Sequence, residues 1–172
     1  MRTLETRYAL ALYELTRDEE GLRSGASLLM DKAELWQALL NPCIPAREKD
    51  GVLCRLLQGR LPQMHLDFFR LLCRRERLAL LPGILTCFHQ LKLEGEGGAV
   101  AVYRCAREPD PQDLDRIGEV LKRRHGLSKV EFQVEVIPEL LGGFTIQIGG
   151  ITYDKSVRGM LGGLRRSLKE RE

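Results

Sequence analysis

The stretch Leu91-Lys92-Leu93-Glu94-Gly95-Glu96-Gly97-Gly98-Ala99-Val100-Ala101-Val102-Tyr103 decides the fold. Before it, apolar residues recur every three or four positions. After it, they recur every second position. A period near 3.6 lines up one face of a helix, and a period of 2 lines up one face of a strand. Between the two rhythms lies Glu94–Gly98, a glycine-rich run with little to bury. We read a helical unit over residues 1–94, a linker over 95–98 and an α/β unit over 99–172.

Upstream, Leu4, Tyr8, Leu12 and Leu15 keep helical spacing, as do Leu35 with Leu39, Val52 with Leu56, and Met64, Phe68, Leu71 and Leu72. Ile84, Leu85, Phe88 and Leu91 form a last set, and Pro82 suits a first helical turn. Breakers at Gly21, Asp31, Asn41–Pro45, Gly59–Pro62 and Arg74–Arg77 divide this half into about six short helices. Downstream, Val100 and Val102 alternate with Ala101 and Tyr103. Val130, Phe132, Val134 and Val136 alternate with polar residues, as do Phe144, Ile146 and Ile148. Gly149-Gly150 is a hairpin turn into Ile151-Thr152-Tyr153. A helix separates the first two strands, with Asp110 as cap, Pro111 at its first position, Gly126 as its end and Leu114, Ile117 and Leu121 inward. A final helix begins near Ser156, with Val157, Leu161, Leu164 and Leu168 on one stripe. The fold class is α+β: an N-terminal six-helix bundle followed by a small α/β sandwich.

Length and composition agree. At 172 residues, 44% of them hydrophobic, a folded core is expected rather than disorder. Counts of 27 basic and 24 acidic residues leave a net charge of +3, small for a dedicated nucleic-acid binder. No apolar run approaches the ~20 residues that span a bilayer. The acids Glu5, Glu14 and Asp18 near the start fit neither a secretory signal nor a transit peptide, so a cytosolic chain is expected. Cys43, Cys54, Cys73, Cys87 and Cys105 are odd in number and form no C-x-x-C pair. They read as small hydrophobes in a reducing compartment, and Cys87 and His89 diverge on a helix.

Two helices carry more apolar surface than one stripe requires. Tyr8–Tyr13 is apolar all round: Leu4, Tyr8, Ala11, Leu12 and Leu15 fall on one side, Ala9, Leu10 and Tyr13 on the other. In Met64–Cys73, Leu66, Phe69 and Cys73 widen the stripe of Met64, Phe68, Leu71 and Leu72. Either both helices are central in the bundle, or one face of each meets a partner helix. No dinucleotide, nucleoside triphosphate or zinc-protease signature occurs. Asp154-Lys155-Ser156-Val157-Arg158 reads as a helix cap, with anion binding by Ser156 and Arg158 as the sharper alternative. Arg74-Arg75-Glu76-Arg77 reads as a solvated helix end that could attract an acidic partner segment.

These motifs together resemble the delta subunit of the bacterial ATP synthase, similar to the mitochondrial oligomycin-sensitivity-conferring protein. The resemblance runs nearly end to end. It is carried by Tyr8-Ala9-x-Ala11-Leu12-Tyr13, by Leu40-Asn41-Pro42-x-Ile44 with Lys49, by Phe69-x-Leu71-Leu72, and by Arg77-Leu78-x-x-Leu81-Pro82-x-Ile84. Its most specific part is Leu141-Gly142-Gly143-Phe144, Ile148-Gly149 and Asp154-x-Ser156-Val157-Arg158-Gly159-x-Leu161. The chain departs from the family where Arg75-Glu76 replaces a Gly or Asn-Gly, Gln147 a basic residue, and Gly149-Gly150 a Gly-Asp.

The resemblance implies a stator part with no catalytic site, cofactor or metal of its own. The first domain would hold N-terminal helices of the alpha subunits on the catalytic head, through Tyr8, Ala11, Phe68 and Leu71. The second would grip the C-termini of the b subunits in the peripheral stalk, through Val157, Leu161 and Leu164. It implies a place at the cytoplasmic face of the cell membrane, reached only through the complex, and no nucleic-acid partner. Two other classes compete. A small basic RNA-binding α/β module would rest on the pI of about 8.7 and the basic helix ends, but lacks aromatic pairs for base stacking. An enzyme using Cys87 or the Asp154, Ser156 and Arg158 cluster has no nameable substrate.

Overall fold

The computed structural model describes residues 3–161. The chain divides into two compact units at Lys92/Leu93. The first contains α1 (Leu4–Leu15), α2 (Glu19–Met30), α3 (Ala33–Leu40), α4 (Ala46–Leu57), α5 (Gln63–Arg74), a 3-10 turn at Leu78–Leu80 and most of α6 (Leu81–Gly95). The second contains β1 (Ala99–Cys105), α7 (Pro111–His125), β2 (Val130–Val136), β3 (Phe144–Ile148) and β4 (Ile151–Asp154).

In the first unit, side chains close the exposed amides of two helix starts. Thr3 Oγ1 accepts from the Thr6 amide at 3.3 Å, and Asp18 Oδ1 from the Gly21 amide at 2.9 Å. Gly21 therefore lies inside α2 rather than breaking the chain. Helices α4 and α5 each follow a proline, Pro45 and Pro62. Phe69, Phe88, Leu22, Leu29, Leu53, Leu57, Leu72, Leu81 and Ile84 make the fully buried centre. On α4 the buried row is Leu53 and Leu57, one residue on from the expected Val52 and Leu56, which shifts the face by 100°. Gly25 lets α2 lie against the Phe69 ring, close enough that a Cβ would reach 2.5 Å from it.

The run after Leu93 caps α6. The Gly98 amide donates to the Leu93 carbonyl at 2.8 Å and the Gly97 amide to Glu94 at 3.0 Å, with Gly97 at φ 76°. This is the double hydrogen bond of a Schellman cap.

The second unit is a four-stranded sheet in the order β2-β1-β3-β4. Strands β1 and β2 are parallel and joined through α7; the other neighbours are antiparallel. Asp110 and Pro111 start α7 and Gly126, at φ 65°, ends it, as expected. Gly149 and Gly150 both have positive φ, the geometry of a type I′ hairpin turn. Ala101, Tyr103 and Cys105 face inward from β1, with Ile146 and Ile148 from β3 and Leu121 from α7. Val134 and Val136 stay exposed at the β2 edge.

Candidate partner-binding surfaces

Helix α1 buries Ala9 and Leu12 and turns another row to solvent. That row is Leu4, Tyr8, Ala11 and Leu15, spaced i, i+4, i+7 and i+11. Leu4 is 45% exposed and Leu15 68%; Ala11 is exposed and Tyr8 half-buried. On α5 the core takes Leu66, Phe69, Leu72 and Cys73, while Met64 and Leu71 remain 42% and 44% exposed. Phe68 is buried at 8% exposure, and its ring meets Tyr8 edge-on at 6.4 Å and Phe69 at 6.1 Å. It joins the two helices from below rather than presenting a free surface. A cavity of about 460 Å³ opens beside α1, lined by Leu4, Arg7, Tyr8, Ala11 and Arg77. Arg77 Nη1 donates to the Tyr8 hydroxyl at 2.8 Å, and its guanidinium lies 5.9 Å from the ring centre. Of the basic run at the end of α5, Arg77 is the residue that turns back onto α1.

Ion pairs hold this scaffold in register. Asp50 of α4 accepts from Arg70 Nε at 2.7 Å and from Arg74 at 3.2 Å, both on α5. The Arg70 hydrogen bond holds the Asp50 carboxyl below its usual range, against burial, with Arg74 adding to it. Glu19 of α2 meets His89 at 2.9 Å and Lys92 at 3.3 Å on α6. Burial pushes its carboxyl up, but hydrogen bonds from His89 and Lys92 outweigh this and lower it.

In the second unit Asp154 Oδ1 accepts from both the Ser156 amide and hydroxyl, and the Ser156 hydroxyl accepts from the Gly159 amide. The Asp154 carboxylate thus occupies the place an anion would take, which favours the capping reading. Helical residues 157–161 follow. Val157 is 38% exposed and covers Gly142; Leu161 is 56% exposed, and Leu164 lies outside the described residues. An apolar groove of about 260 Å³ runs between α7 and the β3–β4 half of the sheet, lined by Ile117, Val120, Phe144, Ile146 and Tyr153. Among the described residues α7 covers only part of the inner face, which periodicity does not reveal. Tyr103 stacks on Phe144 at 5.2 Å and meets Phe132 edge-on inside this unit, so the buried Tyr103 ring does not offer a base-stacking face. Cys87 approaches Thr6 while His89 bonds Glu19, so the two diverge. Among the described residues no cluster of three His, Cys, Asp or Glu could hold a metal, and no helix is long and apolar enough to cross a membrane. All five cysteines are free; Cys73 and Cys105 are buried, whereas Cys43 is exposed, against the expectation of a small buried hydrophobe.

Comparison with known proteins gives a consistent result. The sequence model of the family described as ATP synthase delta (OSCP) subunit matches residues 4–168. The chain is 32% identical to the ATP synthase subunit delta of Methylobacillus flagellatus, with 97% of each chain covered. It is 33% identical to the chloroplastic ATP synthase subunit delta of Emiliania huxleyi, covering 90% of this chain and 89% of that one. Its fold matches a chain in the cryo-EM structure of the Toxoplasma gondii mitochondrial ATP synthase hexamer, with a TM-score of 0.71, 20% identity and coverage of 97% and 98%.

Proposed function

Because the chain belongs to the ATP synthase delta (OSCP) subunit family, we propose that it serves as a non-catalytic stator part of a proton-driven rotary ATP synthase. In this reading residues 1–94 hold N-terminal helices of the alpha subunits on the catalytic head. Residues 99–172 grip the C-termini of the b subunits in the peripheral stalk. The head is kept from turning with the rotor, and the chain sits at the cytoplasmic face of the membrane through the complex alone.

The observation that carries the reading is the exposed apolar row Leu4, Tyr8, Ala11 and Leu15 beside exposed Met64 and Leu71 of α5, bridged by the Tyr8–Phe68 contact. A helix laid there buries apolar area on both sides. Such contacts slow dissociation, which a part under torque needs. Phe68 supports this surface by seating Tyr8. For the stalk, Val157 and Leu161 are the exposed candidates, with Leu164 continuing their stripe in sequence.

The test is a calorimetric titration of the full chain with a peptide copying the N-terminus of an alpha polypeptide of the head, together with amide shifts of α1. Leu71→Asp is expected to weaken binding about 30-fold or more while leaving the melting temperature unchanged, since Leu71 is exposed. Tyr8→Asp should weaken it similarly. No heat and no α1 shifts would refute the reading.

A further inference from the structure

Arg77 occupies a place that apolar docking alone does not require. Its backbone is fixed on both sides: the amide donates to the Leu72 carbonyl at 2.8 Å and the carbonyl accepts from the Leu80 amide at 3.0 Å. Its side chain is half-buried and tied to the Tyr8 hydroxyl. A guanidinium has five N–H donors, and this bond uses one. The remaining four have no acceptor among the described residues. Arg7 lines the same cavity, and among the described residues it has no ion pair there and no carboxylate lines the cavity. Arg70 and Arg74, by contrast, share Asp50. The cavity is therefore apolar along α1 and positive at two points.

We infer that Arg77, positioned by Tyr8, selects the occupant of this groove: an amphipathic helical segment that carries an Asp or Glu beside its apolar face. The inference rests on the reading of the groove as the docking site for the head's N-terminal helices. An arriving helix strips water from the guanidinium. A partner without an acid leaves that charge desolvated and unpaired, which opposes binding. A partner carboxylate takes two parallel N–H bonds in the planar fork, and Arg7 adds attraction during approach. Discrimination thus comes as much from rejecting neutral helices as from holding acidic ones.

The experiment titrates the full chain with the alpha N-terminal peptide and with variants in which each Glu or Asp is changed singly to Gln or Asn. One acid is expected to stand out, its loss weakening binding roughly ten- to a hundredfold. Arg77→Gln should cost a similar factor and make the chain indifferent to that acid, so that the two losses do not add. Arg77→Lys should keep the charge but recover only part of the affinity, because the fork is lost. Tyr8→Phe keeps the ring and releases the guanidinium, and should shrink the coupling between Arg77 and the acid. If Arg77→Gln binds the native and neutralised peptides as wild type does, the inference is overturned while the docking site stands. If no peptide binds at all, both the docking site and this inference fall.

Discussion

Glu76 shows how a single residue sets the groove. It follows α5 in the left-handed region at φ 54°, with its amide on the Cys73 carbonyl at 2.9 Å and the next amide, that of Arg77, on Leu72. This is a Schellman cap with a glutamate where glycine fits best, and it delivers Arg77 to Tyr8. A side chain at positive φ is unfavourable by about 1 kcal/mol. Glu76→Gly is therefore expected to raise stability by up to about 1 kcal/mol in urea unfolding without altering peptide affinity. Lys49 makes a second case at this scale. It is 6% exposed, on the α4 row that buries Leu53 and Leu57, and no ion pair or side-chain hydrogen bond holds its ammonium among the described residues. Its methylenes pack along this row while its head lines two cavities beside α3, so an apolar side chain of similar length keeps the packing that the stem provides. Lys49→Met should thus keep or raise the melting temperature; a fall of more than a few degrees would mean that the ammonium is well paired.

Among elements, the α4–α5 pair depends most on charge. Asp50 lies below its ordinary value of 3.8 because Arg70 and Arg74 favour its ionised form. A group lowered in the folded state contributes its stability above the unfolded value and loses it as pH falls through the folded one. Glu19, lowered from 4.5, acts in the same direction between α2 and α6. Chemical denaturation should show the first unit weakening as pH drops below about 4.5. Asp50→Asn should be less stable than wild type at pH 7 and show a flatter acid limb. An unchanged limb would mean that this pair does not set the acid sensitivity. Helix α1 needs no such clamp, since Ala9 and Leu12 anchor its inner face and the outer row stays open.

The whole molecule carries two separate hydrophobic cores, one in each unit. If the first unit holds the head and the second the stalk, changes in one should leave the other's binding intact. Leu71→Asp is expected to weaken only binding of the alpha peptide, and Leu161→Asp only that of a peptide copying the C-terminal end of a stalk b polypeptide. The double variant should show both losses and no more. A cross-effect above about 0.5 kcal/mol would show that the units are coupled. The change of period near Gly98, the caps of α7, the Gly149-Gly150 turn and the family are legible in the residues alone, because these depend on local backbone geometry and on residue order. Long-range packing sets which side of α1 faces out, that Phe68 lies beneath Tyr8, that Val52 yields to Leu53 on α4, and that Arg77 of its basic run closes on the groove. Helices apolar all round carry no signal of which face is inside. That choice comes from packing against residues distant in the chain: Phe68 is 60 positions from Tyr8, and Arg77 is 69.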